Sequence, residues 1–175
     1  SMTFMVAMGF SVVAMIRIGE MFGKSDIINL KKIAYSLFLI ILLFDLFFCM
    51  IFLLFSEYLP WIYLSKTADK SISDVFQVIE ISSKLILISG VFQIFDGLQA
   101  VVLGVLRGIQ DVFIPTVLIF IAYILVGLPI SYYLGLKTYL GVVGIWIGLL
   151  IGLVSSSIFL LLRFKYDLHF ILNSK

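Results

Sequence analysis

The sequence predicts an all-α integral membrane protein with about five transmembrane helices. Three observations carry that prediction. Of the 175 residues, 63% are hydrophobic, whereas soluble domains sit near about 45–50%. A chain this short has too much surface for its volume to hide that excess in one core, and its mean hydropathy is +1.24. The apolar residues also fall into runs of about 20, the length that crosses a bilayer core. The runs are continuous, unlike barrel strands, which alternate apolar and polar residues. We therefore expect residues 1–175 to form a single membrane domain facing lipid.

The first run is about 2–22, with Arg17 and Glu20 near its end, and the second about 33–55. The third is about 84–106, the fourth about 112–134 and the fifth about 141–163. The connections differ in character. GKSDIINLKK (23–32) is short and polar, and RGIQD (107–111) and GLKTYLG (135–141) read as tight turns. The segment 56–80 is long. Its Tyr58, Trp61 and Tyr63 suit a membrane interface, and Pro60 suits a turn there.

Charge excludes some partners and suggests an orientation. With 12 Lys+Arg against 10 Asp+Glu, the chain lacks the basic surface that nucleic acid requires. Grouping alternate loops puts Arg17, Lys24, Lys31, Lys32, Arg107, Arg163, Lys165 and Lys175 on one side, and Lys66, Lys70, Lys84 and Lys137 on the other. The positive-inside rule then makes the C-terminus cytoplasmic in a multi-pass protein of the cell membrane. With five spans the first helix starts outside, with no targeting information ahead of it, which suggests the C-terminal part of a larger protein. Cys49 and His169 are each the sole residue of their type, so no Cys/His metal site is expected. Walker, GxSxG and HExxH motifs are absent, so the chain does not read as an enzyme, and no cofactor is implied.

Two carboxylates interrupt the apolar runs. Asp96 lies near the middle of the third run and Asp45 near the middle of the second. An ionised carboxylate at that depth costs about 2.5–3.5 kcal/mol. Such a group can take up a proton, ligate a hard cation such as Na+ through oxygen, or pair with a cationic substrate. These options compete for one charge, which is the physical basis of a cation-coupled antiporter. Either carboxylate could instead be a structural hydrogen-bond anchor. Gln93 and Gln99 stand three residues either side of Asp96 and share its helix stripe. Asp45 has no polar neighbour at such spacing.

Glycines recur at close-packing intervals: Gly90, Gly97 and Gly104 every seven residues, and Gly144, Gly148 and Gly152 every four, continuing into Ser156. Plain helix packing is the expected role. Pro129 removes a backbone donor and should kink or loosen the outer end of the fourth helix, as a possible moving part. Pro115, near a helix start, is harmless.

QIFDGLQAVVLGVLRGIQDVFIPT (93–116), IAYILVGLPISYYLG (121–135), GVVGIWIGLLIGL (141–153) and VAMGFSVVAMIRIGEMFGK (6–24) resemble the C-terminal lobe of MATE multidrug and toxin extrusion transporters. The similarity runs nearly end to end, and its most specific part is the LRG turn with a following proline after the acidic DGLQ helix. That family has twelve helices in two six-helix lobes, so the resemblance implies helices eight to twelve, with the N-terminal lobe and one further helix elsewhere. It places Asp96 at the acidic cation- or substrate-binding position of helix ten, with Gln93 and Gln99 in the same motif and a possible Na+ at Asp96. It matches Arg17 to the arginine before the glycine of helix eight and gives Arg17, Arg107 and Pro129 structural or gating parts. Glu20 stands where a small polar residue such as Asn is common, and Asp45 departs from the pattern of helix nine.

The expected function is a fragment of a secondary active transporter that exchanges Na+ or H+ for cationic amphipathic drugs or toxic compounds. Its partners are the lipid bilayer, those substrates and the N-terminal lobe. A lipid-linked oligosaccharide flippase of the same superfamily is the alternative within transport. A membrane structural or assembly subunit without transport is the alternative outside it.

Overall fold

A computed structural model describes residues 2–55 and 72–173. The described residues are helical almost throughout. Helix α1 is Met2–Gly23, α2 is Ile27–Phe55 and α3 is Ile72–Gly108. Helix α4, Phe113–Ile121, continues through a π-helical segment, Ala122–Gly127, into α5, Leu128–Leu136, and α6 is Gly141–Asn173. Counting α4 to α5 as one span, five helices among the described residues are long and apolar enough to cross a membrane.

The helices outrun the apolar windows that located them. Helix α2 starts at Ile27, six residues before the expected 33, so only Lys24–Asp26 separate it from α1. Helix α3 starts at Ile72, in sequence expected to be loop, and α6 runs ten residues past 163. An apolar window marks what crosses the bilayer core, whereas a helix continues through polar residues until something stops it. Tyr58, Pro60, Trp61 and Tyr63 lie outside the described residues.

The stops are local. At the end of α1, Ser25 takes a left-handed φ of 57°, Ser25 N donates to Phe22 O and Asp26 N to Met21 O. At the end of α3, Gln110 (φ 68°) donates to Arg107 O and Asp111 N to Leu106 O. Both are Schellman closures built without glycine. Asp26 then caps α2 by accepting from Asn29 N at 3.2 Å.

Helix α3 is the central element, packed on α1, α2 and α6, while α5 packs on α6. On α2, Ala34, Phe38, Ile41, Asp45 and Cys49 form the buried stripe, and Leu39, Leu43, Phe47, Met50 and Leu54 the exposed one. That spacing is one helix face each. Phe164 of α6 closes the core against Phe38, edge to face at 5.6 Å.

Glycines set the approach of the helices. A Cβ at Gly104 would strike the carbonyl of Ser11 on α1, and one at Gly148 would strike the backbone of Ser131 on α5. Serines tie the same seams: Ser11 Oγ donates to Ala100 O at 2.7 Å, Ser131 Oγ to Ile145 O at 3.1 Å, and Ser157 Oγ to Phe95 O at 3.1 Å. The packing role expected of these glycines holds at both seams.

The backbone defect expected from Pro129 falls one turn earlier. Pro129 has no N–H, and the residue before it, Leu128, donates to Tyr123 O, five residues back. The extra residue is absorbed as a π-turn where Gly127 meets Gly152, whose added Cβ would lie 2.9 Å from the Gly127 Cα.

Alanine substitution separates the glycine roles. Gly104→Ala should destabilise the protein by about 1–3 kcal/mol through overpacking. Gly9→Ala, with nothing within 4 Å of its added Cβ, should be neutral or stabilise by up to about 1 kcal/mol, since alanine favours a helix. Thermal unfolding of both variants in detergent reads the difference, and equal midpoints would remove glycine 104 from the account.

Candidate functional site: an acidic cavity at the centre of the bundle

Helix α3 carries Gln93, Asp96 and Gln99 on one stripe, and all three side chains are half-buried. Gln93 and Asp96 line a cavity of about 260 Å³ with Phe4 and Ala7 of α1, Asp45 and Phe52 of α2, Ser89, Phe92 and Gly97 of α3, and Trp146 of α6. Phe92 and Trp146 meet edge to face at 6.1 Å and form one apolar wall. Among the described residues, no lysine or arginine lines this cavity.

Asp45 belongs to the same cavity. It is 1% exposed, and it sits on the inner stripe of α2 where α2 crosses α3. A Cβ at Gly97 would overlap its carboxylate. Gly97 is therefore more than a helix-packing residue: its missing side chain makes the space that Asp45 fills. Both Asp45 oxygens, Gln93 Nε2 and Gln99 Oε1 are buried and make no well-aligned hydrogen bond, and the Gln93 side chain lies within bonding reach of Asp45. The Asp45 and Asp96 charges are close enough to interact. The sequence offered Asp45 as binding group or structural anchor. The geometry places it beside Asp96, with the Gln93 side chain near enough to bond it.

Tyr123 was not anticipated. It is the second residue of the π segment and stands beside Asp96 and Gln99. A tyrosine within two turns before Pro129, in an otherwise apolar run, is the signal that could have found it. Phe92, Trp146 and Ser89 were also missed, because apolar walls and single serines carry no pattern of their own.

The expected structural or gating residues lie away from this cavity. Arg17 reaches Glu20 on its own helix at 3.5 Å, with its side chain 63% exposed. Lys24 binds the same carboxylate at 2.6 Å. Arg107 is exposed at the end of α3 and Pro129 is exposed on α5.

A second polar centre lies at the end of the bundle that carries the turn after α3. Arg163 Nε donates to Asp111 Oδ2 at 2.7 Å, and its Nη2 to Asp167 Oδ1 at 3.0 Å. The guanidinium also lies 5.4 Å from the Tyr166 ring centroid. Sequence reading had counted Arg163 only as a loop charge. The cluster fastens the turn at Gln110 to α6, joining residues 52 apart in sequence. Among the described residues, no three or more His, Cys, Asp or Glu converge as metal ligands.

Comparison with known proteins places this arrangement. Residues 1–133 match the MatE family model. The chain is 34% identical over 164 residues to a probable multidrug resistance protein NorM of Rhizobium meliloti (strain 1021), covering 94% of this chain and 34% of that protein. It is 33% identical over 170 residues to the multidrug resistance protein MdtK of Yersinia pseudotuberculosis serotype O:1b, covering 95% and 35%. The fold is similar to the crystal structure of the eukaryotic MATE transporter AtDTX14, with a TM-score of 0.81 at 20% identity, over 93% of this chain and 34% of that one. It is equally similar, at 0.81 and 17% identity, to an inward-facing multidrug resistance MATE family transporter of the MOP superfamily, over 99% and 39%. The chain thus spans about a third of the length of the relatives it matches.

The two arginines with carboxylate partners should differ in weight. Arg163→Leu strands two largely buried carboxylates and should cost about 2–3 kcal/mol. Arg17→Leu removes an exposed pair and should change stability by no more than about 0.5 kcal/mol. Detergent unfolding midpoints measure both, and an Arg163→Leu midpoint at the wild-type value would show that the cluster does not fasten the turn.

Proposed function

The chain belongs to the MatE family, and from that premise we propose that it forms part of a secondary active transporter that exports cationic amphipathic compounds in exchange for Na+ or H+. The observation that supports this most directly is the acidic cavity at Asp96. It has aromatic walls, polar amides and, among the described residues, no cationic lining residue. An apolar cation finds both things it needs there, a flat hydrophobic surface and a negative charge. The names of the matched relatives, multidrug resistance proteins, point the same way.

In this reading Asp96 is the exchanging carboxylate. It holds the coupling cation in one state and the cationic substrate in the other, because a single charge cannot serve both. Gln93, Gln99 and Tyr123 hold its orientation as the occupant changes. This lobe would rock against a second lobe about the cavity, as inverted-repeat transporters do. The π segment before Pro129 is suited to take up that motion. Its hydrogen bonds are already shifted by one residue, so a change between π and α winding alters few contacts. Arg17, Arg107 and the neighbouring lysines would lie at the cytoplasmic face of the cell membrane, with the C-terminus. A flippase for anionic lipid-linked sugars would call for a cationic groove, and the acidic lining disfavours it.

Asp96→Asn in the complete protein keeps the side-chain volume and removes the charge. It should abolish cation-driven export of ethidium from everted membrane vesicles while the protein stays monodisperse in detergent. Export at the wild-type rate would defeat the exchange role of Asp96. Absence of export by the wild type as well would favour a structural subunit instead.

A further inference from the structure

We propose that the first turns of α2 hold an anionic phospholipid, with its phosphate on Lys31 and Lys32 and an acyl chain along the exposed face of the same helix. The site lies about 20 Å along α2 from Asp45 and is independent of the transport reading.

An open groove of about 770 Å³ runs beside the start of α2, lined by Ile27, Ile28, Lys31, Lys32, Tyr35 and Ser36. Both lysines are exposed, and among the described residues neither has an ion-pair partner. Other cations at this end of the bundle are committed: Arg17 and Lys24 to Glu20, and Arg163 to Asp111 and Asp167. Asp26, the nearest carboxylate in sequence, accepts from Asn29 N and Asn29 Nδ2. Lys31 and Lys32 therefore keep two adjacent charges uncancelled. The Tyr35 ring is held edge-on by Phe38 at 6.0 Å and by Phe164 of α6 at 6.3 Å. Its hydroxyl and that of Ser36 are further donors for phosphate oxygens.

Depth selects the occupant. The apolar run of α2 begins at Ile33, so the lysines stand just outside the bilayer core, in the interfacial layer roughly 5–7 Å deep. Tyr35 stands where amphipathic rings collect. Ile28, Lys32, Tyr35, Leu39 and Leu43 then follow at intervals of four, three, four and four on one exposed face. From residue 35 to residue 46 that face rises about 16 Å, close to half of the ~30 Å core. An occupant that meets both parts must be anionic at one end and apolar over the depth of one leaflet. A phospholipid with a net negative headgroup has that form. A choline headgroup brings its own cation against the lysines and fits less well.

The test is native mass spectrometry of the complete protein in detergent at low salt, titrated with phosphatidylglycerol or with phosphatidylcholine of the same chains. Wild type should bind phosphatidylglycerol the more tightly. Lys31→Gln/Lys32→Gln should weaken that binding by about tenfold or more, at about fivefold per lysine, and leave phosphatidylcholine binding unchanged. Lys31→Arg/Lys32→Arg keeps both charges and should bind as wild type does. Lys24→Gln removes a charge already answered by Glu20 and should cost less than Lys32→Gln alone. Equal losses from those two would show general surface attraction and overturn the site. Equal binding of the two lipids by wild type would overturn it as well. Inorganic phosphate in excess should not displace the lipid, because it has no chain to lie along Tyr35 and Leu39. Displacement would identify a free-anion site and overturn the lipid assignment. Unfolding midpoints without added lipid should match wild type for every variant. If the glutamine pair fails to fold, Lys32→Gln alone decides: undiminished phosphatidylglycerol binding there defeats the proposal, and a loss of about fivefold supports it.

Discussion

The missing side chain at Gly97 is the constraint on which the centre of this structure depends. It lets α2 lie against α3 with a carboxylate between the two helices, where any larger residue would overlap Asp45. The same helix repeats the device at Gly104, where the neighbour is the Ser11 carbonyl on α1. Without lipid-excluding force between apolar helices, membrane proteins associate by packing and by short polar contacts. Here both operate on α3, whose glycines 90, 97 and 104 recur every seven residues. The glycines bring backbones close, and Ser11 and Ser157 then reach backbone carbonyls of α3. Helix α3 therefore behaves as the fixed spine to which Asp96 is attached.

Two charged centres have been built into this apolar bundle, and they are handled differently. At the bundle end, Arg163 answers Asp111 and Asp167 at hydrogen-bonding distance. Breaking such a pair is costly because it strands what remains, so its natural role is to fasten a turn. At the centre, Asp45 and Asp96 face each other's charge, and among the described residues no lysine or arginine lines the cavity between them. Nothing there is fastened. The difference in partners, rather than in burial, separates a structural ion pair from a site that draws its stabilisation from a ligand.

What could be read from the sequence divides along the same physical lines. Span number and order follow from apolar length, and the structure reproduces all five. The face of α2 that turns inward was not available from spacing, since the exposed Leu39, Leu43, Phe47, Met50 and Leu54 repeat at three and four just as the buried Ala34, Phe38, Ile41, Asp45 and Cys49 do. Asp96 was found because it interrupts an apolar run between two glutamines. Helix ends were less legible: Asp74, Glu80 and Lys84 dilute the apolar signal of α3 without stopping its backbone. The Arg163 cluster was invisible because its members are brought together only by the fold, across 52 residues. Pro129 announced a defect but not its register, which depends on where Gly127 meets Gly152. The adjacency of Asp45 and Asp96 needed both the inner stripe of α2 and its crossing point on α3, and neither was in the sequence.

The unmatched polar atoms show where ligand binding could be strongest. Hydroxyls at the helix seams are already committed: those of Ser11, Ser131 and Ser157 donate to backbone carbonyls. A group so engaged must first break a bond to take a ligand and gains little by it. Among the described residues, the buried side-chain atoms without a well-aligned hydrogen bond include both oxygens of Asp45, Gln93 Nε2 and Gln99 Oε1. These come from two helices and gather about Asp96, with the π segment's Tyr123 beside it. A ligand there displaces fewer well-aligned bonds than one at the seam serines would. Because Tyr123 sits on the one stretch whose hydrogen bonds are already displaced by a residue, a change of occupant at Asp96 acts directly on the part of the backbone least committed to a single winding.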